Sequence, residues 1–77
     1  MSNYSINGFY MRGGWPMQIE LQVVGTLSEA VEWCKGYGKG GNLGGYDDLT
    51  VSTDYGSKVH GWFTIAAGWE INEGTNL

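Results

Sequence analysis

Seventy-seven residues leave room for one hydrophobic core and exclude a second domain within this chain. Eight acidic residues against four basic ones give a formal net charge of −4 and a pI near 4.5, the reverse of the footprint that phosphate backbones select, which argues against direct nucleic-acid binding. Cys34 is the single cysteine, so no intramolecular disulfide can form, and core mass must come from four Trp, five Tyr and two Phe, each removing about 150–250 Å² from water when buried.

In chain order, residues 3–11 read as a first strand, with Tyr4, Ile6 and Tyr10 on one face and Phe9 and Met11 on the other. Arg12-Gly13-Gly14-Trp15-Pro16 is a turn, because the two glycines permit positive φ and Pro16 lacks a donor. Residues 17–24 form the second strand of a hairpin. Gln18-Ile19-Glu20-Leu21-Gln22-Val23 alternates without a fault, which predicts Ile19, Leu21 and Val23 toward the core and the polar residues toward water.

Thr26-Leu27-Ser28-Glu29 has the spacing of a capping box and predicts a helix over residues 27–37, with Leu27, Ala30, Val31 and Cys34 as its buried stripe. Gly36 or Gly38 supplies the stop. Six glycines in residues 36–45 predict a flexible loop with no regular structure. Residues 47–53 and 59–67 read as a second hairpin closed by Asp54-Tyr55-Gly56-Ser57-Lys58, with Trp69 and Ile71 extending the last strand past a bulge at Gly68. Residues 72–77 form a polar tail. The expected architecture is α+β in the order ββαββ, one helix on a mostly antiparallel four-stranded sheet.

Catalytic equipment is hard to assemble from these residues. His60 is the lone histidine, which rules out a multi-histidine metal site in one chain, and the spacing of Asp47, Asp48 and Asp54 matches neither a calcium loop nor a paired acid and base. The glycine loop around Lys39 follows a helix instead of preceding one and lacks the Gly-Lys-Ser/Thr ending of a phosphate loop. We therefore expect no enzyme activity, no metal and no cofactor. A sheet with one helix has one open face, and the surplus aromatics are the material of interface anchors. If Val59, Gly61, Phe63 and Ile65 face the helix, His60 and Trp62 lie opposite. The candidate partner-binding set is accordingly Trp15, Asp47, Asp48, Asp54, Tyr55, His60, Trp62 and Trp69.

The opening residues MSNYSING carry no basic or apolar leader pattern, and no apolar stretch reaches membrane-spanning length, so a cytoplasmic location without membrane contact is expected. In size, acidity, missing secretion signal and missing catalytic motif, the chain resembles the small phage-encoded anti-defence proteins, among them the anti-CRISPR proteins. That resemblance implies a bacterial host cytoplasm and a larger nucleic-acid-handling effector whose basic surface an acidic, aromatic-bearing inhibitor or adaptor would occupy. The competing expectation is a carbohydrate- or small-ligand-binding module that uses exposed Trp and Tyr. Homodimerisation is compatible with either.

Overall fold

The computed structural model describes residues 3–72, except the side chain of Tyr55. Strands β1 (Tyr4–Arg12) and β2 (Trp15–Val24) are followed by helix α1 (Leu27–Tyr37) and strands β3 (Asp48–Thr53), β4 (Lys58–Thr64) and β5 (Gly68–Ile71). All pairings are antiparallel. The sheet order is β2-β1-β3-β4-β5. The class is α+β, but the expected four strands are five, and the order is ββαβββ. The long strand expected over residues 59–67 stops at Thr64, where the Thr64 hydroxyl accepts from the Ala67 amide at 3.1 Å and turns the chain. Gly68, at φ 74°, starts β5 as a separate strand that folds back on β4. Of the expected tail over residues 72–77, only Asn72 lies among the described residues; its backbone amide donates to His60 and its side chain to Val59.

The β1–β2 turn uses Gly13 and Gly14 at φ 57° and 85°, a pair of positive values that suits the twist of a two-residue hairpin. Trp15 and Pro16, expected in the turn, are the first residues of β2. Midway along, Ile6 faces Gln22 while Asn7 faces Glu20, so Leu21 is the extra residue of a bulge. The bulge reverses the facing of the remainder of β2: Val23, expected in the core, sits opposite Ser5 and is exposed.

At α1, the Thr26 hydroxyl accepts from the Glu29 amide at 3.1 Å and donates to the Glu29 carboxylate at 3.1 Å. Thr26→Ala should lower thermal stability by about 1 kcal/mol, read as a reduced melting midpoint. Ala30 and Cys34 are fully buried, with Leu27 and Val31 half-buried beside them. Trp33 and Tyr37, one turn apart, stack with ring centroids 5.0 Å apart. Gly38 caps the C-terminus and a 3-10 turn (Gly38–Gly40) comes next.

The core consists of Ile6, Leu49, Val51 and Phe63 from the sheet, Ala30 and Cys34 from the helix, and Leu43. Leu43 was hidden in the glycine run, yet it is 3% exposed and anchors the loop from within. Farther along, the Tyr46 ring lies over Gly8, so close that a β-carbon there would stand 2.7 Å from it. The segment expected to be a free connector is pinned at both residues.

Candidate interaction surface

Alternation along β1 places Tyr4, Ile6, Gly8 and Tyr10 on the helix side and Ser5, Asn7 and Phe9 on the open side. Register extends this across the sheet: Ser5 faces Ser52, Asn7 faces Thr50, Phe9 faces Asp48, Thr50 faces Trp62, and Trp62 faces Glu70. The open face is therefore mainly polar, and its side chains bond to each other. Ser5 donates to Glu20 at 2.8 Å, the Asn7 amide donates to Ser5 at 3.4 Å and Ser52 at 3.3 Å, and the Trp62 indole donates to Glu70 at 3.0 Å. A concavity of about 540 Å³ opens over its β2 side, lined by Ser5, Asn7, Gln18, Glu20, Val23 and Ser52, among others.

The eight residues selected from sequence do not form one site. Trp15 lies at the tip of the β1–β2 hairpin and is 73% exposed. Asp47 and Asp48 enter β3 beside the same hairpin, the Asp47 amide donating to the Phe9 carbonyl at 2.7 Å. Phe9 is three rungs from the Arg12–Trp15 pair, about 10 Å along the strand. Asp54 and Tyr55 belong to the β3–β4 turn at the opposite end of the sheet, where Asp54 pairs with Lys58 at 3.6 Å. Trp62 is half-buried near the middle of the open face, and Trp69 packs from the core side over Gly61.

His60 departs from the facing expected of it. Val51 faces Gly61 while Ser52 faces Val59, so His60 is the extra residue of a second bulge. Its ring meets Tyr4 edge-on at 5.2 Å, and its Nε2 is 2.8 Å from the Thr53 hydroxyl. His60 is thus a half-buried packing residue on the Tyr4 side, remote from Trp62's face.

Sequence reasoning missed the exposed apolar residues along the hairpin: Met11 at 54%, Ile19 at 48% and Met17 at 39% exposure. Their signal was present in the lone charge, Glu20, carried by the whole of β2. Alternation was read as a core-facing stripe, but the helix does not extend over that half of the hairpin.

Among the described residues, two groups titrate away from their ordinary values. Burial pushes the Cys34 thiol up to about 11, so it stays protonated and unreactive at neutral pH. Partial burial raises the Asp48 carboxyl, with the Thr50 hydroxyl drawing it back and Asp47 adding to the rise. A raised carboxylate pKa means that the fold favours the protonated form: stability from this group is present below the unfolded value of 3.8 and is lost as pH rises through the folded one. Asp48→Asn should therefore be slightly more stable than the parent at pH 7, the gain being small because the group is largely solvent-screened, with the gap closing as pH falls below the unfolded value in parallel urea melts.

Among the described residues no cluster of three or more His, Cys, Asp or Glu could hold a metal ion, and no helix is long and apolar enough to cross a membrane. What the arrangement offers is a projecting apolar hairpin beside carboxylates, with a self-bonded polar face behind it. No protein-family model, curated protein or solved structure matches the chain.

Proposed function

We propose that this chain is a non-enzymatic protein-binding domain, an inhibitor or adaptor, that docks on a larger partner through the tip of its β1–β2 hairpin. The observation that carries the reading is Trp15, 73% exposed as the first residue of β2, directly after the Gly13-Gly14 turn, and accompanied by exposed Met11. A large aromatic held in water at a hairpin tip loses little conformational entropy on docking, which is why Trp dominates interface hot spots. Asp47 and Asp48, about 10 Å away along the hairpin, would form an acidic rim and favour a partner with a basic surface. A nucleic-acid-handling bacterial effector has such a surface, in keeping with the resemblance in size and character to phage anti-defence proteins. The carbohydrate reading draws less support, because the Trp62 indole N–H is taken by Glu70 and Trp69 is packed against the core.

Affinity capture from a bacterial lysate, followed by titration of the identified protein against purified variants, tests this. Trp15→Ala should weaken binding by about 30-fold or more, the scale of a hot-spot residue, and Asp47→Ala/Asp48→Ala should chiefly slow association and reduce its salt dependence. Retention of no protein, together with tryptophan fluorescence changes on adding oligosaccharides, would replace the proposal with the sugar-binding alternative.

A further inference from the structure

We propose that two copies of this chain pair antiparallel through the free edge of β2, centred on Ile19, to make one continuous ten-stranded sheet. This is independent of the partner-binding reading above.

The two sheet edges are unequal. β5 is four residues long and carries Glu70, whereas β2 is ten residues long and carries only Glu20. Natural edge strands are blunted by shortness, charge, proline or bulges. β2 has such devices on either side of one short segment, which itself carries the single charge of Glu20: Pro16 lacks a donor, the Leu21 bulge interrupts the ladder, and the Val23 amide is taken by the Gln22 side chain at 3.0 Å. Between them, Met17-Gln18-Ile19-Glu20 presents unblunted backbone beside two exposed apolar side chains.

A second copy fits this segment for reasons of symmetry and charge. A two-fold axis normal to the sheet keeps each side chain on its own face, so the pairing centre must fall on a residue. Centring on Glu20 would oppose two carboxylates. Centring on Ile19 instead sets Met17 against Leu21 and Ile19 against its copy, forming one apolar stripe that continues the core side. On the other face it sets Gln18 against Glu20 twice. Glu20 already accepts from Ser5 through one oxygen, which leaves the second for the Gln18 amide of the other copy. Because the same edge serves both copies, the assembly closes at two; β2-to-β5 pairing would instead propagate. Trp15 lies outside the paired segment, so the dimer would display two hairpin tips.

Sedimentation velocity of the full chain from about 10 μM to about 1 mM, a span that brackets weak and moderate dimers, should show the mass rising from 8.4 kDa to twice that value. Ile19→Lys should remain monomeric throughout, with an unchanged melting midpoint under dilute conditions, because the side chain is exposed. Under mild oxidation Ile19→Cys should form a disulfide-linked dimer, since directly opposed Cα atoms stand about 4.5–5.5 Å apart; buried Cys34 does not compete. Trp15→Cys should remain uncrosslinked. Trp15→Ala should keep the dimer mass whether or not it loses a partner, which separates the two proposals. A monomer at about 1 mM, open-ended growth, or cross-linking through Trp15→Cys in place of Ile19→Cys would overturn the inference.

Discussion

Gly61→Ala should destabilise the protein by about 3 kcal/mol or more, the upper part of the range for overpacking a close-packed interior. Gly61 is buried between Val51 of β3 and Ile71 of β5. A β-carbon there would stand 2.5 Å from the Glu70 carbonyl oxygen and 2.5 Å from the Trp69 ring. A flexible side chain could swing away, but a backbone carbonyl in the adjacent strand can move only if β5 moves with it. The expected result is a lowered urea midpoint, together with a shift in tryptophan emission as Trp69 loses its seat. Gly36→Ala is the matched control. Gly36 is the penultimate residue of α1 with nothing within 4 Å of an added β-carbon, and replacing glycine in this last turn should be neutral or slightly stabilising, by less than the about 0.5–1 kcal/mol of a helix interior. A loss of less than about 1 kcal/mol at Gly61 would show that the contact is relieved cheaply.

The contrast between these glycines explains which features could be read from the sequence. The helix and its cap were legible because Thr26, Glu29 and the spacing of Leu27, Ala30 and Cys34 are local signals acting within four to seven residues. The hairpin was legible from Gly13-Gly14 for the same reason. Bulges are different: Leu21 and His60 are extra residues only with respect to the strand opposite, and nothing in either strand alone marks them. Each reversed the facing of residues near it, which is why Val23 left the core and His60 left the face of Trp62. The fifth strand was read as a continuation of the fourth because Trp62, Phe63, Thr64 and Ile65 all favour strand, and the turn after Thr64, where the Ala67 amide donates back to the Thr64 hydroxyl, has no proline or Asn-Gly to mark it. Leu43 and Tyr46 were masked by their glycine neighbours, although a lone leucine in a glycine run has few reasons to be there other than burial. The exposure of Trp15 was recoverable from its position beside the turn. Its separation from Asp54, Trp62 and Trp69 was not, because strand order decides it.

Leu49→Ala is the second large loss we expect, about 3 kcal/mol within the 2–5 kcal/mol range for truncating a buried leucine. Leu49 is fully buried on β3, the middle strand of the sheet, with Gly8 opposite on one side and Phe63 on the other. Gly8 contributes no side chain and relies on Tyr46 for cover, so one side of Leu49 has little material that could collapse into the space left behind. A chain of 77 residues has a total stability of about 4–12 kcal/mol, and the loss therefore removes a quarter or more of it. The melting midpoint should fall by about 12–24 °C, from the usual 4–8 °C per kcal/mol for a domain of this size. Phe63, at the rim of the same cluster and 8% exposed, can shift toward the gap, and a structure of the variant should show that ring displaced. A fall of less than about 4 °C, under 1 kcal/mol on the same scale, would mean that the loop carrying Leu43 and Tyr46 closes over the cavity. The loop would then act as an adjustable cover over the core, and Leu43 would no longer be its fixed anchor.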